Sequence, residues 1–216
     1  MTKTVLSRAL QPMNIAVAAA VTAGAFITGT PAFAADHQND RAHAAEAAQQ
    51  KPGQVAADAV IKIAESQVGV TENAAGGGTP FHQWYMSSPR AQETVARDGG
   101  SIQAYVNAPW CAMFVSWVGE KAGARPTVGW DAYTITWAKW FQKNGRWGTA
   151  AKPGAVVYFS WDDKTVDSID HMGLVKKDNG DGTITTVEGN TGNGKVEERI
   201  RPTSQVVGYG YPQYKA

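Results

Sequence analysis

The one cysteine of this 216-residue chain, Cys111, stands in Asn107-Ala108-Pro109-Trp110-Cys111-Ala112-Met113-Phe114, where a loop passes into an apolar stretch. A single thiol cannot close an internal disulfide. In a chain with export features, an odd thiol points to intermolecular pairing or to a reactive group. At a first helical turn, unpaired backbone N–H groups favour the thiolate, which makes Cys111 a candidate nucleophile. The competing reading is a small buried hydrophobe, the commonest fate of a free cysteine.

A nucleophilic thiol needs a base within reach and a third group to orient that base. The part of the chain expected to fold holds two histidines, His82 and His171. Between His171 and Glu188 lies Lys176-Lys177-Asp178-Asn179-Gly180-Asp181-Gly182, a strong hairpin turn. A turn centred near Asn179 and Gly180 makes His171 and Glu188 cross-strand neighbours on one face. Asn190, two residues further on, is placed to add a polar contact to the imidazole. The competing reading of His171 is a strand-end histidine bonded to a surface carboxylate.

These groups require a helix and a hairpin to hold them. Asn107 as N-cap, Pro109 in the first turn and Gly123 as the stop predict a helix from there to Ala122, with Phe114, Trp117, Val118 and Lys121 to Ala122 as its inner stripe. Val60, Ile61, Ile63, Ala64 and Val68 predict an amphipathic helix over 55–68 that Gly69 ends. Thr71 to Pro80 reads as a loop, Phe81 to Tyr85 as a helical turn and Tyr133 to Lys143 as a further helix. Beyond Pro153-Gly154 the period changes to that of strands, at 155–160, 171–175, 183–188, 196–200 and 206–211. The fold class is α+β, with N-terminal helices packed on an antiparallel β-meander sheet.

The ends and the composition bound the setting. Met1 to Ala34 carries Lys3 and Arg8, an apolar run from Ile15 to Ile27 and Ala32-Phe33-Ala34, the pattern of a secretory signal peptide cut after Ala34. Residues 35–54 are polar and alanine-rich and read as a disordered linker, His37 and His43 included. Residues 55–216 are then one domain's worth of sequence with no internal repeat, the candidate catalytic domain. The chain has 20 basic and 19 acidic residues, and both charges of 1–34 are basic. The remainder is close to neutral, which argues against recruitment by nucleic acid or anionic lipid. Asp162, Asp163, Asp167 and Asp170 lack the ligand spacing of a calcium loop and read as a solvated acidic loop.

Trp110-Cys111-Ala112 opening a helix, Pro153-Gly154, His171-Met172-Gly173-Leu174-Val175 and Glu188-Gly189-Asn190, in that order, resemble the CHAP family of cysteine, histidine-dependent amidohydrolases and peptidases. The resemblance implies a papain-like fold and cleavage of an amide bond in peptidoglycan, with the N-acetylmuramoyl-L-alanine bond and a peptide bond both open. It implies Cys111 as nucleophile, His171 as base, Glu188 as the orienting acid and Asn190 as an accessory polar group. No cofactor or metal is implied, nor any nucleic-acid partner or stable membrane association; a secreted, wall-associated monomer is expected. Ala155 departs from the family, many members having aspartate after the Pro-Gly pair. Of the eight tryptophans, Trp110 and Trp84 are the expected substrate-binding faces. Two rival functions remain at this stage: a non-catalytic wall-binding module on the same fold, and a papain-like protease or transglutaminase acting on proteins.

Overall fold

A computed structural model describes residues 53–216, so the expectations for 1–34 and for nearly all of 35–54 lie outside the described residues. Helix α1 (Ala57–Glu65) buries Val60, Ile61 and Ala64. It is shorter than its hydrophobic pattern, because Ser66 turns its hydroxyl back to the Ile63 carbonyl and Gly69 takes a φ of +96°. Helix α2 (Pro80–Ser87) starts where Thr79 accepts the His82 N–H and Pro80 occupies the first turn. Helix α3 (Pro89–Asp98) repeats that device with Ser88 and Pro89. It has no counterpart in the sequence reading, since it buries only Ala91 and Thr94 and carries few apolar residues.

Helix α4 (Cys111–Lys121) is the centre of the domain. Cys111 to Ser116 and Val118 to Glu120 are all buried, whereas Trp117 is partly exposed and Lys121 exposed. The expected amphipathic stripe is therefore corrected to a helix apolar nearly all round, packed between α1 and α2 on one side and the sheet on the other. Its start is also later than expected: Trp110, not Asn107, is the N-cap, and it makes no side-chain cap bond. A short helix α5 (Arg125–Val128) and helix α6 (Thr134–Lys143), which buries Trp137, Ala138 and Phe141, complete the helical layer.

The strands are β1 (Trp147–Gly148), β2 (Val156–Phe159), β3 (His171–Asp178), β4 (Thr183–Thr191), β5 (Lys195–Pro202) and β6 (Val206–Gly210). They form one antiparallel sheet in the order β1-β6-β2-β3-β4-β5. The α+β, antiparallel arrangement read from the sequence is the one adopted, compatible with a papain-like fold, and only the last strand departs from a simple meander. It crosses back to β2 because the outer edge of β5 is already covered: Gly69 donates to the Val196 carbonyl, and Val196 to that of Val70. One face of the sheet supplies Val156, Tyr158, Met172, Leu174 and Val187 to the helical core; the other buries Val157, Phe159, Val175, Ile184 and Tyr209 in a smaller cluster.

Register decides where the site residues fall. β3 pairs with β4 through Leu174–Val187 and Val175–Thr186. This is displaced by two residues from the expected hairpin, so the pairing continues to Gly173 opposite Glu188 and leaves His171 one pleat away on the same face. The displacement explains Gly173, since a Cβ there would stand 2.7 Å from Glu188 Cγ. The Glu188 side chain lies across the bare backbone of β3.

Candidate active site

Cys111 is the first residue of α4 and is only 5% exposed. The N–H groups of that first turn have no partner within the helix and face the same end of it. The approach to the helix is fixed by three contacts. Trp110 Nε1 donates to Glu72 at 2.8 Å, the Trp110 ring stacks on Phe81 at 5.4 Å, and His82 Nε2 donates to the Ala108 carbonyl at 3.0 Å. Because Nε2 of His82 must carry the proton, its Nδ1 accepts from the Thr79 hydroxyl at 2.7 Å. Both ring nitrogens are occupied, and burial lowers the ring's pKa below the ordinary value. His82 is a structural tie and not a base.

His171 opens β3 beside the start of α4. Its Nε2 donates to Glu188 Oε2 at 2.9 Å, which leaves Nδ1 as the ring nitrogen available to Cys111, whose interaction with the ring raises the ring's pKa. The ring also stacks on Phe159 and Trp161, with centroids 6.0 and 6.2 Å away. Burial alone would depress the pKa of this imidazole. The bonds to Cys111 and Glu188 overcome that and lift it to about 9, so the ring holds its proton at neutral pH.

Glu188 has no solvent exposure. Burial would raise its pKa, but three donors reverse the effect and hold it down to about 2. Arg201 bonds both oxygens at 2.6–3.2 Å, His171 takes Oε2, and the Thr186 hydroxyl donates to Oε1 at 2.6 Å. The next residue, Gly189, carries the contact between layers. A Cβ there would lie 2.6 Å from Phe114 Cβ and 2.8 Å from Trp110 Cζ3, so α4 rests directly on the β4 backbone. The line Cys111, His171, Glu188 is therefore continuous. It joins a thiol at a helix N-terminus to an ionised carboxylate through one oriented ring, the arrangement that acyl transfer by a thiol requires.

Three further expectations need restating. Asn190 follows the irregularity between Glu188 and Thr191 and takes a left-handed φ of +55°. That turn carries its side chain off the alternation, and no hydrogen bond links it to His171. Trp110, expected in the cleft, is fully buried between Phe81 and Gly189 and presents no face for stacking on a sugar. Trp84 is half-buried against Tyr85 and Trp130 and is not brought to the thiol or the imidazole. Of the two aromatics that flank the imidazole, Trp161 is the exposed one, 47% exposed, its backbone N–H held by Asp170 at 2.8 Å. Sequence reading missed Trp161 and Arg201. For Trp161 the signal was its place in the polar loop that leads into His171; Arg201 carried no signal of its own.

Fold and site together define an α+β domain, compatible with a papain-like fold, that brings a helix-borne thiol, an imidazole and a carboxylate together. A family model described as the CHAP domain matches residues 103–190, the span that contains Cys111, His171, Glu188 and Asn190, in agreement with the resemblance carried by the sequence motifs. The family is one of peptidoglycan amidases and peptidases. No curated protein matches the chain.

Proposed function

We propose that this protein is a secreted thiol hydrolase that cleaves an amide bond in peptidoglycan. The observation that carries the reading is the unbroken Cys111–His171–Glu188 line at the N-terminus of α4. In the proposed reaction His171 takes the Cys111 thiol proton and the sulfur attacks the amide carbonyl. The unpartnered N–H groups of the first turn of α4 stabilise the oxyanion. His171 then delivers its proton to the departing amine, leaving an acyl group on Cys111. Water attacks that thioester, His171 accepts a proton from it, and the carboxylic product and free Cys111 are released. Glu188 keeps the ring in one tautomer and stabilises its cation throughout. Trp161 provides the exposed aromatic face beside the imidazole against which a glycan or stem peptide packs. The signal-peptide pattern of 1–34 would deliver this activity to the wall, outside the cytoplasm.

The test is digestion of purified peptidoglycan followed by mass spectrometry of the fragments. New amine ends on muropeptides are expected, and their masses name the bond. Cys111→Ala should abolish them while retaining the parent's circular dichroism. Lysis that survives in Cys111→Ala, or cleavage of polypeptides with none of muropeptides, would overturn the proposal.

A further inference from the structure

Glu188 is held from behind by a residue that lies outside the matched segment 103–190. Arg201, near the end of β5, sends Nε to Oε1 at 2.9 Å and Nη2 to Oε2 at 2.6 Å. The same Nη2 reaches the Thr191 hydroxyl at 3.0 Å. The guanidinium also lies 5.6 Å from the centroid of Phe159 and 5.4 Å from that of Trp161, the two rings that stack on His171. Its side chain is 15% exposed. One residue thus touches the carboxylate, both aromatic neighbours of the imidazole and the far end of β4.

We propose that Arg201 is a positioning residue for the reaction: its planar fork fixes the Glu188 carboxylate so that Oε2 stays on His171 while Thr186 holds Oε1. A buried carboxylate left with only one hydroxyl and one ring N–H would be free to turn about its last torsion and would resist ionisation. A guanidinium supplies two parallel donors in a rigid plane and a charge that does not titrate, neither of which an ammonium can reproduce. The titratable and charged groups facing Glu188 are His171 from β3, with Cys111 of α4 beyond the ring, and Arg201 from β5. Glu197, opposite Glu188 in the β4–β5 register, is engaged by Arg199 at 3.0 Å.

The inference uses the proposed hydrolysis for its kinetic arm only. In the full-length chain, Arg201→Gln is expected to lower kcat for release of wall fragments about 10–100-fold with KM little changed. Its acid-side midpoint should also rise, because Glu188 takes up a proton at higher pH. Arg201→Lys should keep that midpoint close to the parent's and still lose kcat, since it restores the charge and not the fork. Independently of activity, carbon-13 titration of the Glu188 carboxyl should move upward in Arg201→Gln. Parental kcat in both variants, or an unmoved Glu188 titration, overturns the inference. If Arg201→Gln fails to fold, the kcat of Arg201→Lys decides. A parent without wall hydrolysis would defeat the proposed function, and the Glu188 titration would still judge Arg201.

Discussion

Gly189→Ala isolates the contact that sets the thiol against the acid. The φ of Gly189 lies outside the left-handed region, so alanine fits the backbone and the effect is purely steric. Carbon atoms rest at about 3.5–4.0 Å, whereas the new methyl would stand 2.6 Å from Phe114 Cβ and 2.8 Å from Trp110 Cζ3. Phe114 and Trp110 are fully buried and cannot swing aside, so α4 and β4 must part by about 1 Å. Overpacking of this kind costs about 1–3 kcal/mol, offset by up to about 1 kcal/mol from stiffening the unfolded chain. A net loss of about 1–2 kcal/mol lowers Tm by about 2–8 °C in a domain of this size. The same displacement of the nucleophile from its base should reduce kcat about 100-fold. Scanning calorimetry and the wall-digestion assay read the two effects separately. Gly180→Ala is the control: its φ of +77° makes alanine strained in open space, so it should lower Tm and leave the rate per folded molecule unchanged. A Gly189→Ala protein that melts within about 1 °C of the parent and digests wall at the parental rate would refute the reasoning.

Stability should depend on pH at both ends of the range. Glu188 titrates lower in the fold than its ordinary 4.5, so its contribution, about 3 kcal/mol, is present above pH 4.5 and lost as the pH falls toward 2. His171 titrates higher than its ordinary 6.5, so its contribution is full below that value and lost as the pH rises through about 9. Urea melts from pH 2 to 10 should show both flanks, and the kcat profile should fall on the alkaline side near 9; a flat stability profile above pH 6.5 would contradict the Cys111–His171 bond. Trp161→Ala should raise KM about 2–10-fold and change stability by less than about 0.5 kcal/mol; an unchanged KM would remove Trp161 from the substrate path.

The helix around Cys111 and the hairpin that carries His171 and Glu188 were legible because each has a local signature: a proline and a glycine bracketing an apolar run, and a turn dense in Asn, Asp and Gly. What failed to read was set at long range. Register slipped by two residues because the turn sequence offers several adjacent centres, and the bulge between Val175 and Lys177 breaks the simple count. Parity survived the slip, which is why Glu188 still reached His171. Trp110 looked like a cleft residue because it adjoins the thiol, yet a helix start turns neighbouring side chains to opposite sides, and Trp110 went inward to Glu72. Arg201 left no local trace. Its role exists only once β5 lies beside β4, and nothing in Glu198-Arg199-Ile200-Arg201 sets it apart from Arg199.

The thiol, the ring and the carboxylate ride on separate stretches of chain that meet only after the hairpin has docked under α4. Before then the polypeptide holds an ordinary cysteine, a histidine that titrates like any other and a hydrated glutamate, none of which can cut anything. Folding is thus what assembles the three groups, and under the proposed function a cell making the protein would be spared its action for as long as the chain stays unfolded.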